Sequence, residues 1–164
     1  MKHPVFLSGE EAASLIKDNS TIATIGMTLV SASETILKAI EARFLETGSP
    51  NGLTLVHSCG QSDCDRGIQH FAHEKMLARI IGGHWGLQPK MMDLISNNKI
   101  LAYCIPQGQF AQLYRSMAGG EPGKISKVGL GTFVDPRIDG GKMNEITKKA
   151  PDISDVITID GEEY

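Results

Sequence analysis

A chain of 164 residues is long enough to bury one substantial core and too short for two ordinary domains. With 41% hydrophobic and 21% charged residues it has globular proportions, which excludes a disordered or fibrous chain. A net charge of −3, with no basic cluster beyond Lys148-Lys149, excludes the electrostatic footprint that nucleic acid demands.

No apolar run approaches the roughly 18 residues of a membrane-spanning helix, and the amino terminus carries no export signal. Cys59, Cys64 and Cys104 are odd in number and lack C-x-x-C spacing, so a cytoplasmic protein without a disulfide framework or a membrane partner is expected.

Ser8-Gly9-Glu10-Glu11 is a capping box, which predicts a first helix over residues 9–17. The β-branched run Thr21 to Ile25 stops at Gly26, reading as a buried strand that enters a loop over 26–33. From Glu34, the positions Ile36, Leu37, Ile40, Phe44 and Leu45 recur at helical spacing until Gly48-Ser49-Pro50. Strands are then expected at 53–56, 79–82 and 100–105, and helices at 73–78, 90–96 and 110–117. This alternation predicts an α/β fold with a parallel sheet, whose ligands bind beyond the carboxyl ends of the strands. The loops at 26–33, 57–70, 83–89 and 106–109 are therefore the candidate site. Past Gly119 the glycines and prolines crowd together. A strand over 125–130, a loose segment over 135–150 and a last β-like run over 156–159 are expected there.

His57, Cys59, Cys64, His70, His73 and His84 fall in or beside two of those loops. Their spacing is too irregular for the paired ligands of a structural zinc site, so no metal site is assigned and the histidines are expected to satisfy backbone groups. Cys59 with His57 two residues earlier has the outline of a nucleophile and its base, but a buried, inert cysteine fits better. No G-x-G-x-x-G follows the first strand, and Met143 follows Gly140-Gly141-Lys142 where a phosphate loop needs Ser or Thr. Ile105-Pro106-Gln107-Gly108 stands out. It ends the clearest strand, places an amide donor and acceptor at the ligand edge, and follows it with a glycine that lets the chain turn.

The Pro106-Gln107-Gly108 turn resembles the α part of family I CoA-transferases. Gly83-His84-Trp85-Gly86, Phe71-Ala72-His73-Glu74, the stretch from Val128 to Arg137, and Gly140-Gly141-Lys142-Met143-Asn144 are similar to its single-chain branch of propionate and acetate/acetoacetate enzymes. The resemblance covers about 5–164. In the first loop Gly26 and Glu34 match the family's pattern, while Met27, Ser31 and Ser33 depart from it. It implies a domain of the sugar-phosphate isomerase/CoA-transferase superfamily, with residues 1–164 forming the N-terminal part of the α domain and the catalytic β-like half absent.

The implied reaction exchanges CoA between short-chain acids through a glutamyl-CoA intermediate, the glutamate lying outside this chain. No catalytic residue is therefore assigned within it, and the chain alone is expected to be inactive. The resemblance also implies substrate-binding roles for Gln107, Gly108 and Gly26, with Gln107 on a carboxylate or carbonyl oxygen. CoA enters as a substrate and no cofactor is needed. The implied partners are acyl-CoA, short-chain carboxylates, a β half or β subunit, and further copies in a homo-oligomer. A stand-alone α subunit and a non-catalytic ligand-binding domain of the same superfamily are the alternatives. The latter is disfavoured because Arg66 and Lys90 alone make a poor sugar-phosphate site.

Overall fold

The computed structural model describes residues 3–164. The capping box forms as the sequence predicts: Ser8 Oγ accepts from the Glu11 N–H at 3.1 Å, and Glu11 Oε2 accepts from the Ser8 N–H at 2.7 Å. Helix α1 covers Gly9–Ser14 and ends before the expected Lys17. Arg43 accounts for the early stop. Its guanidinium donates to the carbonyls of Ala13 at 2.8 Å and Ile16 at 2.7 Å, giving the helix end partners that a further turn would otherwise supply.

Strand β1 (Thr21–Thr24) leads through the 26–33 loop to α2 (Glu34–Thr47), which Gly48 terminates in the left-handed region at φ 74°. Then come β2 (Leu53–His57), a 3-10 turn (Gly67–Phe71), β3 (Leu77–Gly82), α3 (Pro89–Ser96), β4 (Leu101–Cys104) and α4 (Gln107–Ala118). The four strands form one parallel sheet in the order β1-β2-β3-β4, the α/β architecture expected.

Every residue of β2 is buried, including the polar Thr54 and His57, so its burial does not alternate as a one-sided strand's would. Leu55 and Ile80 share one cluster with Leu37 and Ile40 of α2, Ile68 and Phe71 of the 3-10 turn, and Met91 and Ile95 of α3. Each such side chain contributes about 2 kcal/mol of burial.

The helix expected over 73–78 does not form. Lys75 has φ 72°, which no right-handed helix accommodates, and its carbonyl instead accepts from the Gly52 N–H at 2.8 Å. The only helical turn between β2 and β3 is the earlier one at Gly67–Phe71. The strand expected over 125–130 is also absent. That stretch has no strand neighbour to receive its backbone groups, and Gly129 turns it at φ 107°.

The segment over 135–150 is better anchored than its composition indicates. Gly141 O accepts from the Cys104 N–H at 2.7 Å and Ala102 O from the Met143 N–H at 3.0 Å, so this stretch straps the outer edge of β4 in an antiparallel sense. Asn144 donates to the carbonyls of Ile95 and Ile100, and Thr147 of α5 (Glu145–Lys148) accepts the Ala102 N–H at 2.8 Å. The last β-like run becomes β5 (Thr158–Ile159), paired antiparallel with β6 (Glu162–Glu163).

Candidate functional site

The loops that leave the carboxyl ends of the four strands touch one another in series. The Thr28 N–H donates to Gly60 O at 2.8 Å, joining the loop after β1 to the loop after β2. A Cβ on Gly60 would lie 2.9 Å from His84 Nε2, so that loop in turn meets the one after β3. A Cβ on Gly83 would lie 2.3 Å from Ser58 O and 3.3 Å from Gln107 Cβ, which brings in the start of α4. Tyr114 of α4 reaches back to the carbonyls of Thr24 and Val56, at 3.4 and 3.3 Å, where β1 and β2 end.

Gln107 lies at this edge with its side chain exposed, but in the first turn of α4, not in a free-standing turn. Pro106 makes the change of direction as the N-cap, with φ −55° and ψ 130°. Gly108 is exposed and a Cβ there would meet nothing within 4 Å, so the chain's own packing does not require glycine at that position. Gly26 is different: it adopts φ 144°, and a Cβ would sit 2.7 Å from Val30 O. It allows the loop to close through the mutual backbone bonds of Met27 and Val30, while Thr28 and Ser31 hold φ values of 51° and 63°.

Immediately beyond Pro106 opens a cleft of about 210 Å³, lined by Ile105, Leu113, Val128, Leu130 and Val156, with Lys124 at its wall. Its lining comes largely from the glycine-rich tail, where the sequence offers no periodic signal.

His57 is fully buried beneath the site. The Trp85 indole N–H donates to its Nε2 at 3.0 Å, so the imidazole proton lies on Nδ1 and is donated to Cys59 O at 2.8 Å. Burial pushes His57 down from 6.5 to about 4, only partly offset by the bond to the Cys59 carbonyl. Both ring nitrogens are occupied, and neither serves the Cys59 thiol. Cys59 is buried, as the sequence favours. This arrangement anchors Trp85 and thereby the Gly83 to Gly86 loop.

His70 and His73 form a second arrangement, against α2. His70 Nδ1 is 2.5 Å from Glu41 Oε2 and its Nε2 is 2.9 Å from Glu34 Oε1, while His73 Nε2 is 2.6 Å from Glu41 Oε1. Burial pushes both carboxyls up, but hydrogen bonds from the two histidines, and from Gly67 N–H to Glu34, outweigh it and hold both below 4.5. An ionised carboxylate only accepts, so each nitrogen of His70 faces an acceptor. The histidines of this region thus separate onto different partners. Glu41 was missed in the sequence and Glu34 was noted only as a match to the family's pattern, although their seven-residue separation on a helix places them on one face.

A family model described as Coenzyme A transferase matches residues 6–164. The chain is 41% identical over 160 residues to the caffeate CoA-transferase of Acetobacterium woodii, covering 97% of this chain and 30% of that protein. It is 39% identical over 160 residues to the acetate CoA-transferase YdiF of Escherichia coli O157:H7, covering 96% of this chain and 30% of the relative. The apoenzyme structure of YdiF from that organism superposes with a TM-score of 0.88 at 38% identity, over 96% of this chain and 31% of that one. Its thioester complex with CoA superposes equally well, at 0.88. The chain therefore spans about a third of the length of these relatives. With the family model matched across nearly every residue and the parallel sheet reproduced, this chain belongs to the coenzyme A transferase family.

Proposed function

We propose that this chain forms the acyl-side wall of an enzyme that exchanges CoA between short-chain carboxylic acids. Gln107 would bind an oxygen of the acid, Gly26 would shape the backbone around it, and Gly108 would leave room for it by lacking a side chain. The observation that carries this proposal is the exposed Gln107 at the carboxyl edge of a parallel sheet, directly after Pro106, which lines an apolar cleft of about 210 Å³. An amide can donate to either oxygen of a carboxylate or to an acyl carbonyl, and the cleft suits a short apolar tail.

The chemistry is the exchange that the family resemblance implies. A glutamate carboxylate outside this chain attacks the acyl-CoA carbonyl, giving an acyl-glutamyl anhydride and free CoA thiolate. The thiolate attacks the anhydride to give a glutamyl-CoA thioester and the first acid, and the second acid reverses both steps. CoA is a substrate and no cofactor is involved. The partner of this segment is the β-like half, more simply on the same chain, because the relatives carry more than three times this length in one chain. A cytoplasmic homo-oligomer completes the assignment, consistent with three free cysteines. A sugar-phosphate ligand is disfavoured, since Arg66 is held by Asp63 at 2.6 Å.

The test uses the full-length protein and exchange between acetyl-CoA and a second short acid. Ping-pong kinetics are expected. Gln107→Ala should cost about 1–1.5 kcal/mol in kcat/KM for the free acid, and Gln107→Glu more, because it sets like charges together. Wild-type kcat/KM in Gln107→Glu would remove Gln107 from the substrate.

A further inference from the structure

We propose that His84 is a second substrate-contacting residue, whose Nε2–H donates to an oxygen of the carboxylic acid alongside Gln107. This rests on the acyl-side assignment above, and it comes from how the ring is held.

The loop Gly83 to Gly86 divides its two aromatic side chains between opposite environments. Trp85 is 4% exposed and tied to the buried His57, whereas His84 is exposed at the carboxyl edge of the sheet. A surface histidine would ordinarily be free to rotate, but here the Gly86 N–H donates to Nδ1 at 2.9 Å. That bond fixes the tautomer. With Nδ1 accepting, the neutral ring carries its proton on Nε2, at the far end of the side chain.

The far end has a defined place. It lies over Gly60, where a Cβ would come within 2.9 Å of Nε2 and 3.0 Å of Cε1. Gly60 O accepts from the Thr28 N–H, so the ring end stands where the loops after β1, β2 and β3 meet. The preceding residue, Gly83, packs against Cα and Cβ of Gln107, so the two proposed donors lie on adjoining segments of one edge. Gln88 strengthens the case. Its Nε2 would lie 3.1 Å from the same Cβ, and both of its amide atoms lack a partner among the described residues. The wall around Gly60 therefore holds more hydrogen-bonding capacity than the chain itself uses, which suits a polar guest and not an apolar one. A carboxylate supplies the acceptor that the fixed Nε2–H requires.

The experiment takes the full-length enzyme and compares His84→Ala, His84→Gln, Gly60→Ala and Gln107→Ala in KM and kcat for the free acid, with thermal midpoints alongside. His84→Ala should raise KM by about five- to tenfold with kcat changed less than about twofold, the size of one ordinary hydrogen bond. His84→Gln, which keeps an N–H near the Nε2 position, should recover most of that loss. Gly60→Ala should raise KM as well, because the new methyl presses on the ring end and displaces Nε2 while both donor residues are kept. A normal KM in His84→Ala, with KM raised in Gln107→Ala, overturns the role of His84 and leaves the acyl-side assignment standing. Normal KM in both variants, or no CoA exchange by the wild type, overturns the assignment itself. If His84→Gln is as impaired as His84→Ala, a packing role for the ring replaces the donor role.

Discussion

His57 and His70 are each held through both ring nitrogens, and they are held by opposite kinds of partner. His57 meets an indole donor on one side and a carbonyl on the other, within a fully buried setting, so the neutral ring satisfies everything around it. His70 lies between two carboxylates at the partly exposed seam of α2 and the 3-10 turn, with an acceptor at each ring nitrogen. The partners and the access to water set what each ring does; the residue type does not. One histidine fixes a loop of the candidate site by packing, the other by ion pairing, and the two should fail differently.

The largest effect is expected from His57→Ala, which opens a cavity and leaves the Trp85 N–H buried without an acceptor. We expect a loss of about 4 kcal/mol, read from urea unfolding at neutral pH. A loss below about 1 kcal/mol would show that the pair does not organise the sheet end.

Acid should act next on the same pair. His57 titrates near 4 when folded and near 6.5 when unfolded, so between these values the unfolded chain binds more protons. Its contribution is complete above about pH 6.5, falls as pH drops to about 4, and does not fall further. The total is about 3 kcal/mol. Unfolding free energy that stays flat over that window would contradict a neutral His57, and His57→Ala should flatten it.

His70→Gln tests the other arrangement. A neutral amide cannot donate from the positions of both ring nitrogens, so we expect a loss of about 1–2 kcal/mol in thermal unfolding, with the His57 acid window preserved. Glu34 and Glu41 are held below 4.5, so this clamp contributes above that value and is lost as pH falls through their lowered values. The smallest effect belongs to Lys99→Ala, which breaks the exposed pair with Glu74 and should cost less than about 0.5 kcal/mol. A larger cost would mean that surface charge matters here as much as the half-buried clamp.

Much of the sheet was legible because its signals are local. The Ser8 to Glu11 capping box, Gly48 at the end of α2 and the apolar run of β2 each report a neighbour only a few residues away. Gln107 was placed at the correct edge for the same reason, since it directly follows a strand. What stayed hidden depends on partners far along the chain. Thr147 satisfies Ala102, Gly141 pairs with Cys104, and His70 meets carboxylates 29 and 36 residues away. The residues over 125–130 have strand-like composition and no strand to join, and His84 gives no sign in the sequence that Gly86 will fix its tautomer.

The strap on β4 makes the sheet directional in its growth. Gly141 and Met143 occupy the hydrogen-bonding edge of β4, and among the described residues β1 pairs only with β2. A further strand, from this polypeptide or another, can therefore add at β1 and not at β4. That polarity hangs on a missing atom: Gly141 adopts φ 68°, and a Cβ there would lie 2.3 Å from Cys104 O. Any side chain at that position would prise the strap away and turn a sheet with one open edge into a sheet with two.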